Sequence, residues 1–85
     1  MDTTAELRIN RDIKVLVRAK GLVIYLTFVV SGQPDIGPIE LNRAEAIQVG
    51  GRIAKDGYSD RISITFEPSD ASAFGSWLMR FAADA

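Results

Sequence analysis

Residues 22–30 read Leu-Val-Ile-Tyr-Leu-Thr-Phe-Val-Val, LVIYLTFVV. Leu22, Ile24, Leu26, Phe28 and Val30 share one parity without a polar interruption, and Val23, Tyr25, Thr27 and Val29 share the other. Alternate side chains of a strand point to opposite faces, so a segment apolar on both parities sits centrally in a sheet or has both faces covered. The stretch is about half the length of a membrane-crossing helix.

Upstream, Leu7, Ile9, Ile13, Val15 and Val17 alternate with Glu6, Arg8, Asn10, Asp12, Lys14, Arg18 and Lys20. This period of two marks a half-buried strand. Arg11 and Leu16 break the parity, which places a bend or bulge near Asn10–Asp12 and a strand from Ile13 to Arg18. Residues 1–6 are small and polar and are expected to fray. Ala19-Lys20-Gly21 reads as a tight turn, with Gly21 free to take positive φ.

Downstream, residues 31–40, SGQPDIGPIE, hold two prolines and two glycines and read as a loop, with Ile36 and Ile39 as anchors. Asn42 followed by Glu45 is the spacing of a helix N-cap and capping box, and Leu41 could staple onto Ala46 or Ile47. Ala44, Ala46, Ile47, Gly50, Gly51, Ile53 and Ala54 then form an apolar helix side, closed by Gly57. Arg61–Glu67 alternates again, with Ile62, Ile64 and Phe66 inward. Pro68 stops it, Ser69 or Asp70 caps a last helix, and Ala71, Phe74, Leu78 and Phe81 make that helix's stripe, with Trp77 at its edge.

The expected fold is α+β, one small domain over residues 1–85 in the order β-β-α-β-α. Its sheet is three-stranded and mixed, with both helices on one face.

The 85 residues include no histidine and no cysteine, and the net charge is −1. Histidine-based triads and general bases are therefore excluded, as are ordinary zinc sites and disulfides. No phosphate-binding glycine motif occurs. Gly50-Gly51 falls inside a helix, where close helix–sheet approach explains it better than a ligand does. Asp56–Asp60 lacks the acidic ladder of a calcium loop and reads as a plain turn. Glu67 and Asp70 fit helix capping better than paired-carboxylate catalysis. The expectation is a protein that is not an enzyme and has no cofactor and no metal.

MDTTAELRIN lacks the charged and apolar regions of a secretion signal, so the expected location is the cytoplasm, without a membrane partner. If helices cover the even face of LVIYLTFVV, the odd face is left over. By parity it carries Lys14, Leu16, Arg18, Val23, Tyr25 and Val29, bordered by Ser63, Thr65 and Glu67. Apolar patches with polar rims mark interfaces, and tyrosine suits them. The competing reading is scattered surface hydrophobes, which are normal.

Arg8, Arg11, Lys14, Arg18 and Lys20 make a basic run beside Tyr25, a thin version of a single-strand nucleic-acid platform. Charged edge residues that deter aggregation are the commoner cause. Gln33 and Asp35 are the polar candidates in the 31–40 loop. Trp77 reads as core, with an interface anchor as the alternative.

The function expected from these features is a protein-binding module, a small inhibitor, adaptor or regulator of a larger protein. Phage and mobile-element proteins that block host defences are of this size and type. The partner is another protein, or a second copy in a homodimer. The alternatives are a nucleic-acid-binding accessory protein and a homo-oligomeric structural unit.

Overall fold

The computed structural model describes residues 2–84. Four strands run consecutively: β1 (Asp2–Arg8), β2 (Ile13–Lys20), β3 (Val23–Val30) and β4 (Ile36–Asn42). Two helices come after them, α1 (Arg43–Asp56) and α2 (Pro68–Asp84). The sheet is an antiparallel meander in the order β1-β2-β3-β4.

The fold is α+β, but three expectations fail. The sheet has four strands rather than three, it is antiparallel rather than mixed, and the element order is ββββαα rather than ββαβα. Asp2–Glu6, expected to fray, belongs to β1, whose seven residues all pair with β2, from Asp2 opposite Lys20 to Arg8 opposite Lys14; Met1 lies outside the described residues. The bend near Asn10–Asp12 is the β1–β2 hairpin loop. There the Asn10 side-chain oxygen accepts the Asp12 and Ile13 N–H groups at 2.8 and 3.0 Å, an Asx turn.

Half of the supposed 31–40 loop, residues 36–40, belongs to β4, and the connection shrinks to residues 31–35. Arg61–Glu67 is no strand. Its backbone is fixed through Ile62 N–H to the Ser59 carbonyl and Phe66 N–H to the Gly57 carbonyl. Its alternation is real, since Ile62 and Phe66 are buried in the core, where Phe66 meets both Phe28 of β3 and Phe74 of α2, but the segment pairs with no strand.

The β2–β3 turn is the two-residue loop Gly21–Leu22, one residue later than expected. Gly21 has φ 62° and Leu22 does not, the sign pattern of a type II′ hairpin turn. Leu22 is consequently 70% exposed and leaves the inward row it was assigned to.

One side of the sheet makes the core. Val15, Val17 and Ala19 of β2, Ile24, Leu26 and Phe28 of β3, and Leu41 of β4 are buried with Ala46, Val49 and Ile53 of α1 and Ala71, Phe74, Leu78 and Ala82 of α2. Phe28 meets Phe74 edge-on at 5.6 Å, and Phe66 completes the cluster. Ile47, expected inside, is 38% exposed, and Val49 takes its place. Trp77 and Phe81 are half-buried and stacked at 5.3 Å along the core margin.

Helix α1 starts as its sequence dictates. The Asn42 side chain accepts the Glu45 N–H, the Glu45 carboxylate accepts the Asn42 N–H, and Gly57 closes the helix at φ 83°. Helix α2 begins at Pro68, ahead of the expected Ser69 or Asp70 cap, with proline at a first-turn position that needs no N–H donor. The Asp70 carboxylate accepts from Asn10 Nδ2 at 3.1 Å, tying α2 to the β1–β2 loop.

Gly50 and Gly75 mark where the helices cross. A Cβ on Gly50 would sit 2.8 Å from the Gly75 carbonyl oxygen, and one on Gly75 would collide with the Gly50 carbonyl and lie 2.7 Å from the Ala54 nitrogen. The close approach expected of Gly50 is therefore helix to helix, not helix to sheet.

Candidate binding face

The sheet's other side is built from the polar parity of β1, β2 and β4 and the odd residues of β3. The antiparallel register sets these side chains in rows across the strands. Asp2, Lys20, Val23 and Asn42 form one row, and Thr4, Arg18, Tyr25 and Glu40 the next. Glu6, Leu16 and Thr27 make the third row, and Arg8, Lys14 and Val29 the fourth. The β3–β4 register shifts between Leu26 and Phe28, and this bulge brings Pro38 to the same surface.

All six residues singled out from the sequence, Lys14, Leu16, Arg18, Val23, Tyr25 and Val29, lie on this side. None is buried within the monomer: Leu16 is 39% exposed and Val23, Tyr25 and Val29 are half-buried. Around Leu16, Tyr25 and Thr27 the twisted sheet forms a shallow concavity of about 680 Å³, rimmed by Thr4, Glu6, Arg18, Lys20 and Pro38. Neither helix reaches it, because both pack on the opposite side.

Gln33 and Asp35 stand apart from this centre. Both are exposed in the 31–35 connection. Ser31 N–H bonds the Asp12 carbonyl there, so the β1–β2 and β3–β4 loops share one end of the sheet. Ser63, Thr65 and Glu67 are absent from the face, since their segment is outside the sheet.

Sequence reasoning missed the acidic residues of the edge strands, and they change the electrostatics. Arg18 bonds the Asp2 carboxylate at 2.7 Å and Lys14 approaches Glu6 at 3.5 Å. The Tyr25 hydroxyl donates to Glu40 at 3.3 Å. The hydrogen bond from Arg18 holds the Asp2 carboxyl below the usual range, and the same bond raises Arg18. Both ions are solvent-exposed, so these pairs order side chains more than they stabilise the fold. Glu6 continues the alternation seen from Leu7, but Thr3 interrupts the apolar parity, so the local pattern stops short of Asp2.

The chemical character of this face changes from its centre to its margin. Its centre is aliphatic and aromatic, and at its margin Arg18 pairs with Asp2 and Lys14 with Glu6, while Lys20 and Arg8 have no ion pair among the described residues. Among the described residues no three acidic side chains converge on a metal-sized site, and no helix is long and apolar enough to cross a membrane. Comparison with protein-family models, with curated proteins and with solved structures found no match to this chain.

Proposed function

We propose that the chain is a non-enzymatic protein-binding module, a small regulator, inhibitor or adaptor, that receives an apolar ridge of a larger protein on its open sheet face. The observation that carries this reading is the concavity around Leu16, Tyr25 and Thr27, which neither helix covers. Half-buried aromatic and aliphatic groups inside a polar rim are the anatomy of an interface core. Much of the margin's charge is neutralised locally, by the Arg18–Asp2 and Lys14–Glu6 pairs, which suits a partner of mixed surface charge.

That balance also ranks the alternative. A nucleic-acid platform needs uncompensated cations along the strand path. Arg18, directly opposite Tyr25, is matched by Asp2, and Lys14 by Glu6, which leaves Lys20 as the one cation of the concavity's rim with no ion pair among the described residues, a single charge rather than a path.

A photo-cross-linking residue at Thr27, introduced in the cells that make the protein, tests the reading. An adduct with one defined protein is expected, absent from a chain that also carries Leu16→Asp and Tyr25→Asp. A control cross-linker at Ser72, exposed on α2, should not give it. An adduct from Ser72 alone, or one indifferent to the two charges, would place the binding surface elsewhere. Retention of single-stranded oligonucleotide that weakens steeply with salt would favour the nucleic-acid alternative.

A further inference from the structure

The two edges of the sheet are not equivalent. Backbone groups of alternate residues point to alternate sides of a strand, so half of each edge strand's N–H and C=O groups face outward. On β4 the ladder continues through Arg43 N–H to the Leu22 carbonyl, which turns Pro38, Glu40 and Asn42 outward. Each is dealt with: Pro38 has no N–H, the Glu40 carbonyl accepts from the Arg61 guanidinium at 3.1 Å, and the Asn42 N–H is taken by Glu45 at 3.0 Å. Arg61 is held in place by a 2.7 Å bond to Glu45. This edge is obstructed: the missing donor of Pro38, the Arg61 guanidinium over the Glu40 carbonyl and the turn into α1 interrupt the row of free groups that a strand would need.

On β1, Ile9 N–H bonds the Ile13 carbonyl in the same register as the strand pair, so odd residues face β2 and even residues face outward. Asp2, Thr4, Glu6 and Arg8 thus present a regular row of backbone donors and acceptors. No bulge, proline or side-chain cap covers it among the described residues. The row is also self-complementary. In an antiparallel pairing centred on Ala5, Asp2 faces Arg8 of the second copy, Thr4 faces Glu6, and Leu7 faces Thr3. All seven residues overlap, and the outward-pointing residues oppose one another, as ladder bonding requires. Shifting the centre to Thr4 sets Asp2 against Glu6, and shifting it to Glu6 sets that residue against itself; like charges directly opposite destabilise a strand pair.

We propose that two copies of this chain associate edge to edge through β1, in antiparallel register about Ala5, to make one continuous eight-stranded sheet. The two-fold axis passes beside Ala5, as a closed isologous dimer requires. The proposal stands independently of the open-face reading. Pairing one strand buries less than the about 1,200 Å² of a standard stable interface. The dimer is therefore weak and is to be sought at about 0.5 mM.

The chain's lack of cysteine makes the register directly testable. Across the axis, Ala5 and its copy form a non-hydrogen-bonded pair with Cα atoms about 4.5 Å apart, within disulfide range. Under mild oxidation Ala5→Cys is expected to give a covalent dimer of twice the 9.3 kDa chain mass, whereas Thr3→Cys, which faces Leu7 of the other copy, should stay largely monomeric. Charge exchange is the second arm, read by sedimentation equilibrium. Arg8→Glu alone and Asp2→Lys alone each set like charges opposite at both ends of the interface, and each should weaken self-association by about tenfold. Mixing the two variants restores both opposite-sign pairs, and a heterodimer should form. Equal cross-linking at positions 3 and 5, a monomeric wild-type chain at 0.5 mM, or variants that fail to recombine would each overturn the proposal. Loss of the open-face adduct with the β1 dimer intact would concern the other reading only.

Discussion

Strand β3 sends Ile24, Leu26 and Phe28 to one side and Val23, Tyr25 and Thr27 to the other. Both sets are largely apolar, yet the first is buried to within 1% and the second is half-open. Residue type does not explain the difference. The downstream chain does, because α1 and α2 supply one covering layer and the meander has two sides. The core side is a closed problem, solved by Phe74, Leu78 and Ile53. The other side retains apolar surface without an intramolecular partner. Effects on stability should therefore concentrate on the first side and effects on association on the second.

The largest test of that contrast is Phe28→Ala. It removes the ring around which Phe66 and Phe74 are arranged, and the cavity should lower stability by about 3–5 kcal/mol in urea unfolding. Gly75→Val attacks the same side from behind, by forcing α2 off Gly50 and Ala54. Overpacking of this kind costs about 1–3 kcal/mol, and a thermal midpoint lower by roughly 5–20 °C is expected. Tyr25→Ala, on the open side, should change the unfolding free energy by less than about 1 kcal/mol, while abolishing capture through Thr27. A loss as large as that for Phe28 would mean that the open side is a second core.

The smallest effect is electrostatic and concerns neither side. The backbone N–H of Asn42, with help from Arg61, holds the Glu45 carboxyl below its ordinary 4.5. A carboxyl depressed in the folded state stabilises above its unfolded pKa and ceases to do so as pH falls through the folded value. Glu45→Gln should therefore be slightly less stable than the parent at pH 7. That gap should narrow below about pH 4.5, which paired urea melts at pH 7, 4 and 3 can follow. A constant gap would show that the capping carboxylate contributes nothing as a charge.

The sequence made β2, β3 and α1 legible because their signals are local. Val15, Val17, Ile24, Leu26 and Phe28 keep strict parity, and Asn42 with Glu45 announces the helix. β4 was hidden by Gly37 and Pro38, which normally break strands. Here the proline sits at an outward edge position, where its missing N–H costs no ladder bond. β1 was hidden by polarity, since an edge strand shields little core and Asp2-Thr3-Thr4-Ala5-Glu6 has no apolar side to read. Arg61–Glu67 misled for the opposite reason: its period of two reports burial of Ile62 and Phe66 in the shared core, and burial without a ladder is not a strand. Of the candidate face, the β2 and β3 residues could be listed from parity alone. Their acidic neighbours required the register of β1 and β4, a long-range fact that no local pattern carries.

The chain order of the meander has a kinetic corollary. Every strand pairs with its sequence neighbour, so the whole sheet forms through short loop closures of low contact order, which favours rapid assembly. During synthesis from the N-terminus, residues 2–42 leave the ribosome before either helix. The nascent sheet thus spends an interval with Ile24, Leu26 and Phe28 as uncovered as Val23 and Tyr25. Released chains ending after Asn42, which carry the sheet without either helix, should bind a hydrophobic dye strongly and full-length chains weakly. The second apolar surface of β3 is the one that outlasts this interval, carried into the finished molecule after its twin has been sealed.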